Sequence, residues 1–336
     1  MGKRLGKNTV LLDSKPHIIS NAAVVGKKEG EGPLKSEFDK IYEDGTMGQD
    51  TWEKAESQFL KQAVSTAIEK GNMTPEDIQA VFSGDLLNQC IGSNFGLREL
   101  GIPFVGLYGA CSTMALSLCM ASLAIETGGF SRVVASTSSH FCSAEKQFRY
   151  PLEYGGQRPP SAQWTVTGSG ACVLTKDGYK PYIDAVHIGT IQDLGIKDGN
   201  NMGAAMAPAA KKTIADFLCD TQSKPEDYDM IVTGDLGEVG STLLKELLIK
   251  DSGIDISTVH RDCGLMIFDC NDQDVHAGGS GCGCSASVLC SKLINGLRNG
   301  TYKNIMFIAT GALMSPVSSL QGESIPGIAH GVIIRG

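Results

Sequence analysis

Residues 75–86 read PEDIQAVFSGDL, and residues 225–236 read PEDYDMIVTGDL. Six of the twelve positions agree at a constant offset of 150. Each copy follows a stretch with helical spacing: Ala63, Val64, Ala67 and Ile68 before the first, Thr213, Ile214, Phe217 and Leu218 before the second. Apolar residues at i, i+1, i+4 and i+5 form one helix face that packs on a sheet. Each unit therefore reads helix, Pro-Glu-Asp turn, strand, Gly-Asp turn. The repeat resumes at GACSTMALSLCMASLAIETGGFSRVVASTSS from Gly109. That stretch parallels GCGCSASVLCSKLINGLRNGTYKNIMFIATGA from Gly281, and Cys111 falls on Cys284. VTGSGACVL near Val166 and GIAHGVIIRG at the end supply closing strands. Four segments in the same order predict a duplicated α/β architecture of mixed sheets covered by helices. The polar Lys176–Pro181 turn divides it into residues 1–177 and 178–336.

Composition narrows the function classes. The 336 residues are 42% apolar and 20% charged, enough for a full core. With 37 acidic against 29 basic side chains, the net charge is −8, and a nucleic-acid binder needs the opposite. Eleven cysteines behind a start without a secretory apolar region point to a reducing, cytoplasmic setting. Leu100–Ile125 carries no Asp, Glu, Lys or Arg over 26 residues, long enough to span a bilayer. Pro103 and the central Cys-Ser-Thr cluster favour instead a short strand running into a buried helix.

Cys111 is the sharpest chemical candidate. It follows an expected strand at Phe104–Tyr108 and opens a helix, where free N–H groups and the helix dipole lower a thiol pKa. The spacing of cysteines 263, 270, 282, 284 and 290 matches no common zinc site, and no metal or cofactor is expected. GGSGCGCS, from Gly278, lacks the Lys-Ser/Thr ending of a phosphate loop. His140, at the end of a strand, and His260, in HRDCGLMIF, are candidate polar partners for the site.

These segments resemble the thiolase and condensing-enzyme superfamily, most closely a branch that endospore-forming bacteria use in sporulation. The likeness is carried by LYGACST, TSSH, EKQFRYPLEYGGQRP, TVTGSGA, TGDLGEVGS, HRDCGLMIF, AGGSGCGCSA and ESIPGIAHGV. It implies two thiolase-like halves in an α-β-α-β-α arrangement and a homodimer. It also implies a dipicolinic acid-binding component of the SpoVA complex, serving uptake of dipicolinate with calcium in sporulation and its release in germination. Integral-membrane SpoVA proteins would then hold it at the spore inner membrane. By the same resemblance, Cys111 falls on the condensing-enzyme nucleophile and His260 on its first catalytic histidine.

One departure argues against catalysis. Where those enzymes carry a hydrogen-bond donor in the late loop, this chain has Cys282 and Cys284. Losing one oxyanion donor costs ~2.7–4 kcal/mol of barrier. A non-catalytic binding pocket is the expectation; an acyltransferase with Cys111 as nucleophile and His260 as base is the alternative. For a dianion, two helix starts at Cys111 and Cys284 would converge their N–H groups, each worth ~0.3–1 kcal/mol. Micromolar affinity needs about 8 kcal/mol, so Arg149, Arg158, His140 and His260 are expected to supplement Cys111, Cys282 and Cys284.

Overall fold

The computed structural model describes residues 2–148 and 158–336. The N-terminal half contributes strands β1 (His17–Gly26), β2 (Ala80–Gly84), β3 (Phe104–Gly106), β4 (Arg132–Ser139) and β5 (Gly168–Thr175). Its helices are α1 (Trp52–Lys70), α2 (Thr113–Glu126) and α3 (Phe141–Phe148). The C-terminal half contributes β6 (Tyr182–His187), β7 (Met230–Thr233), β8 (His260–Asp262), β9 (Asn304–Ala312) and β10 (Gly327–Arg335). With them come helices α4 (Met202–Thr221), α5 (Gly237–Ser252) and α6 (Cys282–Val288).

The strand order is β8-β7-β9-β10-β6-β1-β5-β4-β2-β3, symmetric about the junction of β6 and β1. Pairing repeats as well. β2 lies parallel to β3 and β4, and β5 runs antiparallel to β4 and β1. In the second half β7 lies parallel to β8 and β9, and β10 runs antiparallel to β9 and β6. The repeated Pro-Glu-Asp segments are short 3₁₀ turns, Pro75–Asp77 and Pro225–Asp227. In each, the Asp side chain accepts the backbone N–H at Thr74 or Lys224 and so fixes the entry into β2 or β7.

Five layers result. Helix α1 covers β1 and β5 on one outside face, and α4 covers β9 and β10 on the other. Helices α2 and α6 lie between the two strand sets: α2 touches β4 and β2 on one side and β10 and β9 on the other. This placement explains why Leu100–Ile125 is uncharged, since α2 is buried from two sides. Among the described residues, no helix is long and apolar enough to cross a membrane.

Candidate functional site

The turn between β3 and α2 places Cys111. Ala110 adopts a left-handed backbone, φ 49°, which L side chains rarely adopt. The turn is held by its own hydroxyls: Ser112 Oγ donates to Gly109 O at 2.6 Å, and Thr113 Oγ1 to Ala110 O at 2.6 Å. Helix α2 begins at Thr113, so Cys111 lies in this turn and not in the first helical turn. From the other half, Gly311 of β9 packs directly on the turn. A Cβ there would lie 2.4 Å from Gly109 O and 3.3 Å from Cys111 N.

Asp235, just past the end of β7, is the group that meets the thiol. It is fully buried and accepts from Thr310 Oγ1 at 2.8 Å, Gly281 N at 2.9 Å and Ser280 Oγ at 3.3 Å. The Cys111 thiol lies beside the same carboxylate and is electrostatically linked to it. Burial raises the Asp235 carboxyl to about 6 despite these donors. Burial, then the Asp235 charge and Cys282, push the Cys111 thiol well above the usual cysteine range, outweighing the Gly281 N–H. The expected lowering of the thiol pKa is therefore reversed. Desolvation and a neighbouring negative charge both disfavour thiolate, and they exceed what a nearby N–H returns.

A narrow cavity of about 40 Å³, partly open to solvent, leads to Cys111. Leu86, Tyr108, Ala144, Phe148, Ala312 and Met314 give it an apolar wall, with Thr165, Ser280 and Glu145 as its polar lining. Cys282 packs beside Cys111, Leu86 and Ala144, and its thiol donates to Ser138 O at 2.9 Å. Cys284 lies deeper, its thiol directed at Gly234 O.

The remaining sequence candidates lie elsewhere. His260 Nε2 donates to Thr233 Oγ1 at 2.9 Å, since that hydroxyl gives its own proton to Asp262 at 2.6 Å. Burial lowers its pKa to about 4, so it is a neutral structural group, and Asp235 takes the position beside the thiol. His140 accepts from Cys142 N through Nδ1 and thus donates from Nε2 to Gly45 O at 2.8 Å. It is neutral too, and it lines a separate cavity with Trp52, Trp164 and Lys28. Arg158 bonds Asp274 O at 3.1 Å and stacks over Trp164, away from the Cys111 cavity. Arg149 lies outside the described residues.

Five of the N–H groups at the two helix starts are already taken within the fold. Ser112 N and Thr113 N bond back to Gly109 O and Ala110 O. Gly281 N, Gly283 N and Cys284 N are taken by Asp235, Ser139 Oγ and Gly281 O. Among the described residues no group of three His, Cys, Asp or Glu side chains could hold a metal ion.

The family model described as stage V sporulation protein AD matches residues 6–335. Stage V sporulation protein AD of Bacillus subtilis (strain 168) is 46% identical over 333 residues, covering 99% of this chain and 98% of that relative. This chain belongs to the stage V sporulation protein AD family. Its fold is that of condensing enzymes. 3-Oxoacyl-[acyl-carrier-protein] synthase III from Aquifex aeolicus VF5 superposes with a TM-score of 0.58 at 14% identity, covering 96% of this chain and all of that one. A variant of OleA from Xanthomonas campestris gives 0.61 at 12% identity, covering 99% of this chain and all of that one.

In this family member, Asp235 was marked in the sequence by the repeat itself. The Gly-Asp-Leu at 84–86 recurs at 234–236, and Asp85 is likewise a buried collector of donors, from Leu87 N, Ser93 N and Ser93 Oγ. A repeated acidic residue at the C-terminal tip of a parallel strand is where α/β folds place ligands.

Proposed function

We propose that this protein binds dipicolinate in the Cys111 cavity, as a non-catalytic component of the SpoVA machinery that moves dipicolinate with calcium. The state of Cys111 carries the reading: a buried thiol, beside a buried carboxylate, at the foot of a narrow and largely apolar cavity. A cysteine nucleophile must ionise, and here the protonated form is favoured. The late loop offers Cys282, whose thiol is already committed to Ser138 O. A flat pyridine ring suits apolar walls with a few polar groups. No Lys, Arg or His is found among the described residues lining the cavity, so the two ligand carboxylates need compensation, which calcium supplies when the chelate binds.

Intact-mass spectrometry after incubation with acetyl-CoA tests the non-catalytic half of this reading. The mass stays unchanged. A thioester that forms on the wild type and is absent from Cys111→Ala would make the cavity a transferase site.

The reading extends to partners. Strand β3 ends the sheet path, with Val105 38%, Phe95 44% and Tyr108 47% exposed on and around it. An open apolar edge of this kind pairs with another strand, and a second copy of β3 completes it in a homodimer. Sedimentation is expected to show a dimer that Val105→Lys converts to monomer; a monomeric wild type would refute this. Attachment at the spore inner membrane runs through integral-membrane SpoVA proteins, and loss of those proteins releases this one from the membrane fraction. Retention without them contradicts it.

A further inference from the structure

We infer that dipicolinate entering the Cys111 cavity without calcium brings one proton with it, which Asp235 takes up. This rests on the ligand reading above and adds how the site balances charge. Asp235 stands directly behind the two cavity-lining residues Cys111 and Ser280, hydrogen-bonded to the Ser280 hydroxyl and beside the Cys111 thiol. Its partners are all neutral: a thiol, two hydroxyls and the Gly281 N–H. The titratable groups that face it are Cys111 from the β3–α2 turn, Cys282 and Cys284 from α6, Asp262 at the end of β8 and Cys263 just after it. Thiols and a carboxyl cannot compensate an incoming anion.

A calcium-free dianion placed on Cys111 therefore adds negative charge next to a carboxylate that already ionises reluctantly. Like charges at that range favour the protonated acid. Asp235 can hold a proton without rearrangement, because a carboxylic acid OH can donate where it now accepts from a hydroxyl that can turn around. Thr310 and Ser280 are such hydroxyls.

Linkage fixes the sign. The bound state holds more protons than the free state, so affinity rises as pH falls from 8 toward 6, by up to about tenfold per pH unit. It levels off below that range, where the free protein already carries the proton. Titration calorimetry with calcium-free dipicolinate at pH 7, in phosphate and in Tris, counts the proton from the difference in buffer ionisation heat. The expected result is roughly one half to one proton taken up per ligand. Asp235→Asn binds with no uptake and a flat pH profile. Wild-type binding with the same heat in both buffers overturns the inference and leaves the ligand reading standing. Uptake that persists in Asp235→Asn moves the proton to another group, such as Glu145 on the cavity wall, and overturns the assignment. Absence of binding heat at any pH sinks the dipicolinate reading and this inference with it. Should Asp235→Asn fail to fold, Glu145→Gln takes its place: uptake that persists there keeps the proton on Asp235, and uptake that disappears overturns the assignment.

Discussion

Cys111 is expected to react with iodoacetamide at pH 8 on the order of 100-fold more slowly than Cys219 of the same chain. Alkylation requires thiolate, and each tenfold loss of thiolate is a tenfold loss of rate at fixed nucleophilicity. Cys219 is exposed and serves as the internal reference, whereas Cys111 is 5% exposed and keeps its proton beside the Asp235 carboxylate. Peptide mass spectrometry over a time course reads both rates in one sample. Asp235→Asn removes the adjacent charge while leaving burial in place, so Cys111 then reacts faster, though still more slowly than Cys219. Equal rates at the two cysteines in the wild type would mean an activated thiol, and with it a catalytic site.

Gly311→Ala is expected to cost about 3 kcal/mol of stability, a fall of about 4 °C in Tm. The added Cβ would lie 2.4 Å from Gly109 O and 3.0 Å from Ser112 N, both backbone atoms of a turn locked by its own hydroxyls. Neither can swing aside as a side-chain tip would. Relief comes by moving the Cys111 turn off β9, so the proposed dipicolinate binding is expected to fall together with stability. Gly129→Ala is the control, because its nearest contact is an ordinary 3.6 Å to Thr127. A Gly311→Ala protein that melts with the wild type would show that the two halves do not pack this tightly at the site.

Much of the fold was legible because it is written twice. The offset of 150 between the Gly-Asp-Leu segments set strand against strand, and the structure returns the same pairing pattern in both halves. The uncharged run through α2 was legible for a related reason: a helix packed between two strand sets has no wet face. The site was harder to read, since its chemistry depends on burial, and burial has no local signature. Placing Cys111 near a helix start argued for an activated thiol; full desolvation and Asp235 favour its protonated form instead. His260 drew attention as an uncommon residue in a polar cluster, yet the fold spends it on Thr233 behind Asp262. The helix-start N–H groups looked available from the sequence. In the fold they are taken by side chains and carbonyls some of which come from distant segments, such as Asp235 and Ser139.

Calorimetric titration of the wild-type protein with dipicolinate, beside a variant in which Ala144→Phe fills the cavity, tests the central claim most directly. Ala144 is buried on α3 and lines the cavity, so a phenyl ring there occupies the space proposed for the pyridine. The account predicts one saturable site per chain in the wild type and at least a tenfold loss of affinity in a variant that still melts cooperatively. Undiminished binding in the filled variant, or no saturable binding in the wild type, would contradict it.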